Sequence, residues 1–184
     1  MHRDPLLKLI FDYGRRYPEE SATVGRFLEF VESQPDCFQR SLAIGHLTGA
    51  AWLVNAKGDS VLLTHHRKLE KWLQPGGHAD GETDIFKVAK TEADEETGLR
   101  PIEPIVDQIF DLDIHTIPAR KNEPEHEHFD VRFAFRHCGS GEFTVSHESI
   151  DLAWVPLEKL SEYTTEESIE RMARKYRSLH DQAA

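Results

Sequence analysis

Residues Gly76 to Leu99 read GGHADGETDIFKVAKTEADEETGL, a glycine turn that runs into a helix and stops at a second glycine. Thr83 is the expected cap through its hydroxyl, Asp84 suits the positive end of the helix dipole, and Gly98 suits the left-handed closing position. Glu92, Glu95 and Glu96 stand at i, i+3 and i+4, so three carboxylates share one helical face within a turn of one another. They repel unless something compensates them. Beside a glycine turn they make a hard, oxygen-rich site of the kind Mg²⁺ or Mn²⁺ prefers. An acidic helical face bathed in water has the same local pattern, so the spacing of the whole stretch has to decide.

That spacing resembles the box of the Nudix hydrolases, G-x5-E-x7-R-E-U-x-E-E-x-G-U, with U a bulky apolar residue. Laid on from Gly77, it meets Glu92, Glu95, Glu96, Gly98 and Leu99 without a gap. Thr83 replaces the first glutamate of the pattern, Thr91 the arginine, and Ala93 is small where a bulkier residue is usual. In the family that glutamate and arginine brace the loop against the helix; here both are lost together, and the two threonines or Glu82 with Lys90 can take their place. The run WLQPGGHADG from Trp72 is similar to a bacterial Nudix subgroup of about this chain length. The resemblance implies an α/β fold, the Nudix α/β/α sandwich with a mixed sheet. It also implies Mg²⁺ or Mn²⁺ bound by Glu92, Glu95, Glu96 and the Gly77 carbonyl, and hydrolysis of a phosphoanhydride bond.

The 184 residues suit one domain with a sizeable core. A formal charge of −11 argues against a protein that wraps nucleic acid, which needs a basic face. Cys37 and Cys138 are too few and too far apart for a disulfide framework. Leu6 to Phe11, interrupted by Lys8, is too short for a signal-peptide core or a membrane span, so the expected location is cytoplasmic.

Residues 1–40 read as a helical extension and 41–184 as the Nudix domain. Leu6, Leu7, Ile10 and Phe11 recur at helical spacing, Tyr17-Pro18 breaks the pattern, and Val24, Phe27, Leu28 and Val31 resume it. These two helices either pack on the same core or serve as an extension that covers substrate or forms a homodimer. Strands are expected over Leu47–Val54 and Val61–Thr64. His65, His66, Arg67, Lys68 and Lys71 then form a basic cluster, in which Arg67 is the best donor for a bidentate phosphate contact.

In HEHFDVRFAF, from His126 to Phe135, a period of two puts His126, His128, Asp130 and Arg132 on one face and Phe129, Val131, Phe133 and Phe135 on the other. The polar face is a candidate substrate wall, or simply a solvent-facing strand. A His-x-His pair on a strand also chelates transition metals, which makes a cupin-like metal protein with His126 and His128 as ligands a rival. Further strands are expected over Glu142–Ser146 and Ser149–Val155, with a closing helix over Glu166–Leu179. The segment from His147 to Leu157 is similar to the family's run of a glutamate before W-V-P-L, which implies Glu148 as a base; Glu92 or Glu95 can also serve. The implied substrate is a small nucleoside diphosphate derivative such as a nucleotide sugar or ADP-ribose, rather than RNA. Two other classes use the same fold: a nucleotide-binding module without activity and an isoprenoid diphosphate isomerase.

Overall fold

The computed structural model describes residues 2–120, 123–139, 142–146 and 149–183. The chain opens with helices α1 (Asp4–Arg16) and α2 (Ser21–Ser33), joined by one 3₁₀ turn. Strands β1 (Gly45–Val54), β2 (Ser60–His66), β3 (Lys71–Leu73) and β4 (Gly76–His78) follow and lead into α3 (Ile85–Thr97). Next come β5 (Ile102–Pro104), β6 (Asp111–Ile117), β7 (His126–His137) and β8 (Ser149–Pro156), then the short α4 (Leu160–Tyr163) and α5 (Glu167–Ala183).

The sheet is mixed, and its spine is the parallel pair β1 and β7, in register from Gly45 opposite Glu127 to Val54 opposite Arg136. Parallel neighbours need a long crossover, and the chain between them supplies β2 to β6 and α3. β4 lies antiparallel on the other side of β1, β5 and β6 lie antiparallel along β7, and β2 carries β3 and β8. All ten residues of β1 are buried, as a strand covered on both faces must be.

One face is covered by α1, α2 and α3. Leu47, Ala51 and Leu53 of β1 and Phe129, Val131, Phe133 and Phe135 of β7 point into that layer. The opposite face packs Trp52, Val54 and Ala134 against Ile169, Met172 and Tyr176 of α5. Helices on both faces of one mixed sheet make the α/β/α sandwich.

The N-terminal helices are part of this core. Phe30 stacks on Phe129 with ring centroids 3.8 Å apart, and Phe27 meets the same ring edge-on at 5.3 Å. Arg3 donates to the Val31 and Glu32 carbonyls at 2.6 and 2.8 Å, satisfying acceptors that the end of α2 leaves without partners. Among the described residues, no helix is long and apolar enough to cross a membrane.

The ends of α3 differ from expectation at one residue. The cap is Asp84, whose side chain accepts from the Lys87 amide at 3.2 Å, not Thr83. Glu82 explains the shift, because its carboxylate accepts from the Thr83 and Asp84 amides and pairs with Lys87 at 2.5 Å. The brace of the loop is therefore Glu82 with Lys87, one turn earlier than Lys90. At the other end Gly98 closes the helix with φ of 69°, as its position requires. Residues 142–146 form no strand; the Thr144 amide instead bonds to the Thr97 carbonyl just inside the end of α3.

Candidate active site

Strand register lines up polar side chains on the sheet face turned away from α3. His115 of β6 lies opposite His128 of β7, which lies opposite His46 of β1. The next row runs Asp113, Asp130, Thr48 and His78, and the next Asp111, Arg132 and Ala50. The alternation of β7 thus puts its four polar residues on one face, yet Asp130 and Arg132 are almost fully buried.

They are buried because they answer one another. Arg132 donates through Nε to Asp130 at 2.7 Å, through Nη1 to Asp111 at 3.1 Å and through Nη2 to Asp113 at 3.1 Å. Burial works against its charge, but the three carboxylates outweigh that and hold the guanidinium protonated. Asp111 also receives Arg171 and Lys175 from α5, and Lys175 reaches Glu20 beside α1 at 2.6 Å. Asp130 also accepts from Thr48 at 2.8 Å and from Gln74 at 3.3 Å. Asp113 is held below the usual carboxylate range: burial pushes it up, and His115, Arg132 and Arg171 more than reverse this. Arg132 is accordingly a keystone between β6, β7 and α5. Three of its five N–H donors are thus taken by carboxylates, while the side chain also borders the cleft.

The imidazoles beside this network are differently placed. Burial, followed by the neighbouring His78 and His126, lowers the His46 pKa to about 4. Burial and the four surrounding histidines lower His128 to about 2, and His78 is lowered mainly by burial. Burial thus disfavours the protonated form of all three rings.

The carboxylates of α3 approach from the edge of the sheet. An ideal Cβ placed on Gly77 would lie 2.4 Å from the Glu92 carboxyl carbon, so Glu92 occupies the space that a side chain there would fill. Glu96 lines a cleft of about 720 Å³ together with Gly76, Gly77, His78 and the polar sheet face. Glu95 is exposed. Arg40, Lys68, Lys71 and Arg120 line the same cleft, where Arg40 pairs with Glu123 at 3.4 Å and Lys71 with Glu166 at 2.6 Å. The Glu92 and Glu96 carboxylates are hard oxygen donors, but among the described residues only His46, His78 and His128 bring three potential metal-ligand atoms within 4.8 Å of one another; the α3 glutamates do not. Gly77→Ala forces Glu92 aside, so steady-state assays are expected to show turnover falling at least about 10-fold, in the range lost when the support of a metal ligand is disturbed, while circular dichroism stays unchanged.

A NUDIX domain model matches residues 46–176, well over half of the chain. The chain belongs to the NUDIX family. Solved structures agree on the fold. A NUDIX-family hydrolase from Clostridium perfringens is 25% identical, with a TM-score of 0.54 over 73% of this chain and 97% of that one. An Ap4A hydrolase of C. elegans is 16% identical with a TM-score of 0.60, covering 74% of this chain and 98% of that one. A MutT protein of Methanosarcina mazei Go1 is 19% identical with a TM-score of 0.55, covering 76% and 97%. A comparison with curated proteins found no match.

In this NUDIX chain, Gly77, Glu96, His126, His128, Asp130 and Arg132 all border one cleft, and Glu92 lies at its edge against Gly77. Arg67 is not among the cleft-lining residues; its guanidinium donates to the Ser149 carbonyl at 2.7 Å, tying β2 to β8. Glu148 lies outside the described residues. Sequence reasoning passed over His46, His78, Asp111 and Asp113. The two aspartates were visible as an i, i+2 pair in DLD, a period-two signal for a shared face; His46 and His78 carry no such signal, because only strand pairing brings them to His128.

Proposed function

We propose that this NUDIX protein is a Mg²⁺- or Mn²⁺-dependent pyrophosphohydrolase acting on a small nucleoside diphosphate derivative, such as a nucleotide sugar or ADP-ribose. The observation that carries the proposal is the Glu92 carboxylate pressed against Gly77, with Glu96 on the wall of a 720 Å³ cleft. A cleft of that size suits one small ligand. Glu92, Glu95, Glu96 and the Gly77 carbonyl would hold the cation, Glu95 by turning inward from its exposed position. When bound, the cation supplies Lewis acidity toward the diphosphate and makes a water easier to deprotonate.

The chain's own residues do the remainder. Arg40, Lys68, Lys71 and Arg120 draw the phosphates toward the wall that carries Glu96. His126, which lines the cleft and holds its Nδ1 against the Pro124 carbonyl, would meet a ribose or phosphate oxygen through Nε2. Asp130, fixed by Arg132 and Thr48, sets the floor of the cleft. Glu148, before Trp154-Val155-Pro156-Leu157, is the proposed proton acceptor from the attacking water. We place the enzyme in the cytoplasm; a homodimer through the N-terminal helices would cover Phe11, which is 59% exposed on α1.

Incubation of the purified protein with nucleotide sugars, ADP-ribose, nucleoside triphosphates and dinucleotides, with and without Mg²⁺ or Mn²⁺, tests the reading. Cation-dependent release of a nucleoside monophosphate from the first two is expected. Cleavage confined to triphosphates would overturn the substrate class, and tight binding without cleavage would favour a nucleotide-sensing module.

A further inference from the structure

We propose that His46, His78 and His128 form a nitrogen-donor site for a transition-metal cation of the Zn²⁺ class, separate from the carboxylates of α3. One ligand atom from each of the three imidazoles lies within 4.8 Å of the other two. They come from three neighbouring strands, β1, β4 and β7, whose pairing fixes their positions. A tetrahedral zinc site with Zn–N bonds of about 2.0–2.1 Å requires nitrogens roughly 3.4 Å apart, so each ring has to move by only about 1 Å.

The state of the nitrogens points to a cation. His46 is 2% exposed, and its ring nitrogens have no well-formed hydrogen bond, only a marginal one toward the Leu42 carbonyl; Nε2 of His128 also lacks a partner. Buried polar atoms of native proteins are normally satisfied, so unpartnered nitrogens on two of the three clustered rings need an explanation. Packing alone leaves them without partners. A neutral imidazole carries one lone-pair nitrogen, so the three clustered rings can offer a cation three donors. Imidazole donors select zinc-like cations, and oxygen donors select Mg²⁺. His126 flanks His46 with ring centroids 5.0 Å apart, and His115 flanks His128 at 5.3 Å.

The site also has an open side. His46, His78 and His128 all line the cleft, so a cation held by three imidazoles would keep a coordination position facing the cleft, as in zinc sites that bind a water or a ligand. This inference does not depend on the hydrolase reading, because the nitrogen set shares no ligand with Glu92 and Glu96.

The test is metal analysis and Co²⁺ spectroscopy on the full chain. After dialysis against Zn²⁺, the wild type and a Glu92→Gln/Glu96→Gln variant are both expected to retain one zinc, and Co²⁺ is expected to give the visible bands of a tetrahedral nitrogen site. His128→Gln is expected to weaken Zn²⁺ binding by more than about 100-fold, beyond the loss seen when only a supporting contact of a metal ligand is removed. If that buried change prevents folding, His78→Asn on the half-buried edge strand gives the same readout, and imidazole ¹⁵N shifts in the wild type identify the ligating rings directly. Zinc retained by a folded histidine variant, zinc lost with the two glutamates, no zinc bound by the wild type, or ¹⁵N shifts at other rings would each overturn the proposal.

Discussion

Glu96→Gln is expected to lower kcat by on the order of 10²- to 10³-fold, the loss typical of removing one preorganised electrostatic contact from a reacting centre. The substitution keeps the shape of the side chain and removes its charge. Glu96 stands on the cleft wall one turn along α3 from Glu92, and neither belongs to the apolar core, so the melting temperature should hardly change. Glu92→Gln should behave alike, because its carboxylate fills the space above Gly77 and an amide there offers a cation less charge. Steady-state kinetics with a cation titration checks both variants. Unchanged turnover in Glu96→Gln would remove the carboxylate helix from the chemistry.

Arg132→Ala is expected to be the most destabilising single change near the cleft, by about 3–5 kcal/mol, because it breaks a buried ion network by removing one partner. Arg132 is 2% exposed, and its three nitrogens face Asp130, Asp111 and Asp113. Without it three carboxylates converge on a buried void, and Arg171 and Lys175 can reach only part of that charge. For a chain of this size such a loss corresponds to a fall in melting temperature of roughly 6–20 °C. Thermal and urea denaturation measure it. A loss under about 1 kcal/mol would mean that the network sits in a wetter, more forgiving environment than its burial implies.

The box helix was legible in the sequence because its signals are local. A left-handed glycine, a period of 3.6 and a carboxylate triplet lie within one stretch, and the structure keeps the helix with its end at Gly98. The cap moved by one residue because Glu82 takes the Thr83 amide, a choice between neighbouring acceptors that spacing cannot rank. The polar face of β7 was legible for the same reason, since alternation is local. What that face touches was not. The ion pairs of Arg132 could not be read in advance because Asp111 and Asp113 come from another strand, and their pairing depends on the register of β6 against β7. His46 sits in a run that reads as an ordinary buried strand, and His78 in a turn that reads as backbone geometry. Only the parallel pairing of β1 with β7, across a crossover of seventy-odd residues, and the antiparallel pairing of β4 with β1 place them at His128. The His-x-His pair pointed to His128, whose partners in the cluster come from across the sheet and not from two residues along its strand.

Hydrolysis in ¹⁸O-labelled water, with the products analysed by mass spectrometry, tests the phosphoanhydride assignment most directly. With ADP-ribose or a nucleotide sugar and Mg²⁺, one ¹⁸O is expected on a phosphoryl group of a single product, through attack of water on phosphorus. Label on a carbon of the product, or no product with the protein folded and cation present, would contradict the account.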